Sequence, residues 1–95
     1  MKVYTLHKNT VAYKYFGFKT GINFGDLSEF VQFRSHLTKI LCQTGSYQRL
    51  RQLRNPQVRW SYKREAMHGP YLMYFRDESD ITLALLTWNG KNANN

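Results

Sequence analysis

Six basic side chains, Arg49, Arg51, Arg54, Arg59, Lys63 and Arg64, lie between residues 49 and 64, and no acid interrupts them. A guanidinium is a planar fork of N–H donors that matches phosphate or carboxylate oxygens, and an ammonium adds a point charge. Trp60 and Tyr62 are interleaved with these cations and could stack on bases. The alternation of residues 57–64 argues against that use. In a strand, Val58, Trp60 and Tyr62 point one way and Arg59, Ser61 and Lys63 the other, so the aromatic side belongs to a core and the charged side to solvent. The segment is therefore expected to contact phosphates or acidic side chains rather than to read bases.

Catalysis would need further groups. Glu65 and His68 fall in an expected turn, and with Tyr62, Arg59 and Arg64 they could serve a small metal-independent ribonuclease, since phosphoryl transfer needs charge stabilisation and one proton carrier. No motif accompanies them, and an enzyme is not the expectation. His7, His36 and His68 are far apart, there is no H-x-x-x-H, and the acids sit at expected helix starts, so neither a metal nor another cofactor is expected. There is no P-loop and no G-x-G-x-x-G. The single cysteine, Cys42, excludes an intramolecular disulfide and reads as a small core or boundary residue in a reducing compartment.

The elements that must position the basic segment follow from periodicity. Met1 to His7 reads as a strand, Lys8-Asn9 as a turn and residues 11–18 as a second strand with a bend at Gly17, giving a hairpin over 2–18. Residues 19–24 read as a loop, with Gly21 and Gly25 as turn residues. Asp26 and Glu29 form a capping pair for a helix over about 27–43, whose apolar positions from Leu27 on, Phe30, Val31, Phe33, Leu37, Ile40 and Leu41, are spaced for one face with Phe33 at its edge, and Gly45 is its stop. Residues 46–56 form a short helical turn with Tyr47, Leu50 and Leu53 inward, ended by Asn55-Pro56. A strand over 57–64, a turn over 65–70 and an apolar strand over 71–76 follow. The cluster Asp77-Glu78-Ser79-Asp80 opens a helix over 78–88, ended by Asn89-Gly90, with Trp88 as a core plug. Residues 89–95 are expected to be a disordered tail. No internal repeat is evident.

Assembled, these elements predict a single α+β domain over 1–88: a two-layer sandwich with an antiparallel sheet of about four strands and two helices on one face, in the order β-β-α-β-β-α. A ferredoxin-like strand order is one option. No window is long and apolar enough to span a membrane, and the N-terminus lacks a signal-peptide run, so a cytoplasmic location is expected. Fourteen Lys and Arg against six Asp and Glu give a net charge of +8. Five of the six acids, Asp26, Glu29, Asp77, Glu78 and Asp80, have a role at helix starts, which leaves Glu65 alone to offset the basic surface. Such an excess points to an anionic partner.

Residues 71–88, an apolar strand followed by Asp77, Glu78, Asp80 and Thr82 and closed by Leu86 and Trp88, resemble the C-terminal ends of small proteins of large tailed bacteriophages. The segment departs from that pattern at Leu83 to Leu85, which lack a Phe, and at Thr87, where a Lys or Arg is usual. The resemblance implies a phage origin, a host bacterial cytoplasm and a role in host-directed inhibition, anti-defence or the virion. It carries no site residue. The expected function is a non-enzymatic basic binding protein acting on RNA or DNA, a nucleoprotein or an acidic host protein. The alternatives are a self-associating assembly component, with Tyr and Phe around 13–18 as its interface, and the ribonuclease.

Overall fold

A computed structural model describes residues 1–42, 44–53, 58–64 and 70–88. Its elements are β1 (Lys2–Thr5), α1 (Val11–Phe16), β2 (Thr20–Phe24), α2 (Leu27–Ile40), α3 (Tyr47–Leu50), β3 (Trp60–Arg64), β4 (Tyr71–Phe75) and α4 (Glu78–Thr87). All strand pairs are antiparallel, in the order β1-β2-β4-β3. With the short α1 and α3 set aside, the order is the expected β-β-α-β-β-α, and α2 and α4 pack on one face of the four-stranded sheet. The arrangement is a pair of strand pairs joined through β2 and β4, not the split β-α-β of a ferredoxin-like sheet. The expected stops at Asn55-Pro56 and Asn89-Gly90, the turn at 65–69 and the tail lie outside the described residues.

Between residues 11 and 24 the structure reverses the sequence reading. Val11–Phe16 is a helix, and the strand that pairs with β1 is Thr20–Phe24. Aromatic composition favours a strand over 11–18, but local caps decide otherwise. The Thr10 hydroxyl accepts from Tyr13 N–H, Gly17 closes the helix at φ 74°, and Ala12 and Phe16, one turn apart, are both buried. Thr20–Phe24 resembles a loop because of Gly21 and Asn23, yet Ile22 and Phe24 alternate inward. Gly21 is required there by its neighbours: a Cβ on it would lie 2.7 Å from Tyr4 Cζ and 3.0 Å from the Met73 carbonyl oxygen. Helix α2 ends at Ile40 with Leu41 as its cap, so Gly45 is not its stop.

The sheet separates two apolar clusters. On one face Ile22, Phe24, Trp60, Tyr71, Met73 and Phe75 meet Phe30, Phe33 and Leu37 of α2 and Ile81 and Ala84 of α4. On the other, Leu6, Phe18 and Tyr74 meet Ala12 and Phe16 of α1 and Tyr47 and Leu50 of α3. Leu53, expected inward, is exposed, and on α2 the expected face is turned: Val31 is exposed, whereas Phe33, expected at its edge, is fully buried against the sheet.

The structure also contains a repeat. Phe24-Gly25-Asp26-Leu27-Ser28-Glu29-Phe30 and Phe75-Arg76-Asp77-Glu78-Ser79-Asp80-Ile81 occupy matching strand-to-helix junctions, so β1-β2-α2 and β3-β4-α4 are two copies of one unit. The β2–β4 register is symmetric about the Ile22–Met73 pair, with Thr20 opposite Phe75 and Phe24 opposite Tyr71. The carboxylates at the third helical position are held alike. Glu29 is 3.5 Å from the Met1 ammonium, just before β1, and Asp80 is 2.7 Å from Arg59, just before β3. The caps differ: the Asp26 side chain accepts from Ser28 and Glu29 N–H, whereas the Asp77 side chain makes no capping bond.

Candidate nucleic-acid interface

The fold distributes the basic segment over several environments. Arg49 and Arg51 are exposed on and just after α3, which the Ser46 hydroxyl caps by accepting from Arg49 N–H. Lys63 lies on the same side of the sheet, its Nζ 5.7 Å from the Tyr47 ring centroid. Arg51 and Lys63 both act on the Tyr47 phenol: burial raises its pKa above the usual tyrosine value, and the two cations oppose that rise. Arg49, Arg51 and Lys63 are thus brought to one side of the molecule.

Two other expected site residues are not. Arg59 donates through Nε to Asp80 Oδ2 at 3.0 Å and through Nη2 to Asp80 Oδ1 at 2.7 Å. That bidentate bond is the first cause of its raised pKa, and it ties Arg59 to α4 on the opposite face. The expected alternation fails at this point, because Val58 packs with the α1/α3 cluster while Arg59 reaches α4; it holds from Trp60 to Lys63. Arg64 is exposed, with its guanidinium 6.0 Å from the Tyr71 ring centroid, also on the α2/α4 face. Arg54, and the Glu65 and His68 of the ribonuclease reading, lie outside the described residues.

Charge is segregated between the two sides of the sheet. Residues 6–19, which include α1, and residues 44–53, which include α3, contain no Asp or Glu. All five acids among the described residues sit at the starts of α2 and α4, on the other side. The side without a carboxylate among the described residues presents Lys8 and Lys14 around α1 and Arg49 and Arg51 around α3, all exposed. It also leaves a row across the bare part of the sheet: Lys2 opposite Asn23, Asn23 opposite Leu72, and Leu72 opposite Lys63. Lys2 and Asn23 are exposed, and Leu72 and Lys63 half-buried. The sequence missed Lys2, Lys8 and Lys14 because only the sheet brings them to the side that holds α3.

Sequence reasoning also missed Arg34. Its guanidinium lies 5.0 Å from the Tyr62 ring centroid, at a cleft lined by Arg34, Thr38, Thr44, Trp60 and Tyr62. A readable signal existed, since Arg34 falls one turn after the buried Phe30. Trp60 is fully buried, in keeping with a core role, and Tyr62 is half-buried.

The aromatic interface expected around 13–18 is largely internal. Phe16 and Phe18 are buried and only Tyr15 stands out, 76% exposed. Among the described residues no group of three His, Cys, Asp or Glu side chains could hold a metal ion, and no helix is long and apolar enough to cross a membrane. No protein-family model matches the sequence, no curated protein matches it, and no solved structure matches the fold.

Proposed function

We propose that the protein is a non-enzymatic nucleic-acid-binding module that holds a phosphate backbone on its α1/α3 side. The observation that carries this reading is the separation of charge: the described carboxylates lie at the α2 and α4 starts, and Lys8, Lys14, Arg49 and Arg51 project from surfaces without one. A polyanion approaching that side meets cations and, among the described residues, no repelling group. Together with the phage resemblance of residues 71–88, this reading makes the target a host nucleic acid and the action inhibitory.

The test is oligonucleotide binding by fluorescence anisotropy at 50 and 200 mM salt. If Arg49, Arg51 and Lys14 each neutralise one phosphate of a single strand, affinity falls roughly 20-fold between those salts, and Arg49→Glu/Arg51→Glu weakens binding and flattens the salt slope. Lys39→Glu, an exposed reversal on α2, serves as the control and changes little. Salt-insensitive binding, or an equal loss in the control, would refute the assignment.

A further inference from the structure

The Arg34 cleft has a chemistry distinct from that of the basic side. Its volume is about 210 Å³, below the roughly 300–1,000 Å³ of sites for drug-sized ligands, so it takes one small planar group. Its hydroxyls face the cleft with their protons already assigned. Thr38 Oγ1 donates to the Arg34 carbonyl at 3.0 Å, and Thr44 Oγ1 donates to the Trp60 carbonyl at 2.7 Å. A hydroxyl has one proton, so each oxygen retains only acceptor capacity. Trp60 Nε1–H is likewise committed, to the Cys42 carbonyl at 2.9 Å. Among the described residues of the lining, the side chain left to donate is Arg34, whose guanidinium has no carboxylate partner among them and rests on Tyr62.

A bare oxyanion fits this arrangement poorly, because its oxygens would face two threonine acceptors beside an aromatic floor. A flat group with a two-acceptor edge for the guanidinium fork and N–H donors for the threonines fits well. Guanine has that pattern: O6 and N7 accept from an arginine fork, and N1–H and the 2-amino group donate. The cleft also adjoins the backbone-binding side. Thr44 leads through Gly45 into α3, and Arg49 Cδ would lie 3.7 Å from a Cβ on Gly45, so the Arg49 side chain runs beside the chain that forms the cleft wall.

We propose that the Arg34–Thr38–Thr44–Tyr62 cleft is a nucleobase pocket selective for guanine, which gives the nucleic-acid-binding reading above, on which it rests, a sequence preference. The backbone is held by the α3 cations, and one unstacked guanine turns over the Thr44–Ser46 segment into the cleft.

The experiment titrates ¹⁵N-labelled protein with each of the four nucleoside 5′-monophosphates and with inorganic phosphate, following the Trp60 indole N–H and the Thr38 and Thr44 amides by NMR. The guanine nucleotide is expected to give saturable shifts at these groups and to bind about 5- to 150-fold more tightly than the other three, the range of one bidentate arginine–guanine contact. Arg34→Lys keeps the charge and removes the fork, and Thr38→Val keeps the shape and removes an acceptor; each is expected to reduce the preference for guanine. Equal response to all four nucleotides, shifts reproduced by inorganic phosphate, or a preference that survives Arg34→Lys would overturn the pocket. Anisotropy with oligonucleotides separates the two readings. Salt-dependent binding without guanine preference overturns the pocket alone, and guanine-selective shifts without oligonucleotide binding support the pocket and overturn the backbone reading.

Discussion

Arg59 and Asp80 set the limit of what a run of cations reveals by itself. In the sequence Arg59 is one of six basic residues that no acid interrupts, but its partner lies on α4 and only the fold brings them together. The Asp80 side chain is 8% exposed and that of Arg59 51%, so the pair holds a nearly buried carboxylate at the start of α4 rather than offering a free cation. Trp88 was legible as an apolar anchor, and the structure refines the degree. Its ring packs 4.9 Å from that of Phe33 and 5.5 Å from that of His36 but is only half-buried, and its Nε1–H, though buried, has no hydrogen-bond partner among the described residues. His36 joins the same contact. The Thr87 hydroxyl donates to backbone carbonyls of its own helix, so His36 Nε2 is the donor to Thr87 Oγ1, at 2.9 Å. Full burial would make Trp88→Ala cost about 3–5 kcal/mol; the half-buried ring lowers this to about 2 kcal/mol. Trp88→Phe, which keeps an aromatic contact and removes the indole donor, is expected to stay within about 1 kcal/mol of the wild type. Urea unfolding of both variants checks this, and an equal loss in the two would show that the indole N–H is satisfied.

Among the elements, α2, α4, β3 and β4 were legible in the sequence, because each has either a strong apolar period or a dense acidic start. It misled between residues 11 and 24, where β-type composition and helix-type capping conflict. Thr10 and Gly17 outweigh the aromatic content of Val11–Phe16 because capping satisfies backbone groups that a six-residue helix would otherwise leave open at both ends. In β2, Gly21 is a packing residue and not a turn. Gly21→Ala is expected to destabilise the protein by about 1–3 kcal/mol, since the added methyl meets both the Tyr4 ring and the Met73 backbone, and only the ring can move. An unchanged denaturation midpoint would count against that packing. Helix α4 has an outer side with Leu83 and Leu86 exposed, the latter at 79%. A self-association surface would therefore be sought there rather than around Tyr13 to Phe18.

For the whole molecule, net charge was legible and its placement was not. The sequence shows that acids collect at helix starts, but whether those helices share a side of the sheet is a matter of topology. The cleft was invisible for the same reason, since Arg34, Thr44 and Tyr62 belong to three separate segments. The Tyr-rich composition has a global consequence at alkaline pH. Burial raises the phenol pKa of Tyr4 and of Tyr47 above the ordinary value near 10. The unfolded chain then loses these protons at lower pH than the folded one, so their effect on stability is nil below about pH 10 and becomes a loss as pH rises beyond it. Thermal melts between pH 8 and 11 are expected to show a level Tm followed by a fall, and Tyr47→Phe is expected to make that fall shallower. A variant that declines as steeply as the wild type would argue against Tyr47 as a contributor.

The symmetric pairing about Ile22 and Met73 bears on how the sheet ends. In geometrical terms the described chain is a closed pair of its own two halves, and the inner edges of β2 and β4 are used up against each other. What remains for a stray strand is the outer edge of β3 and that of β1. The first is partly occupied by the parallel bridge between Ser46 and Tyr62, and the second is only four residues long and carries Lys2. A cationic, clipped edge is a poor seed for further strands, so the duplicated architecture leaves this small aromatic-rich sheet little surface from which to grow.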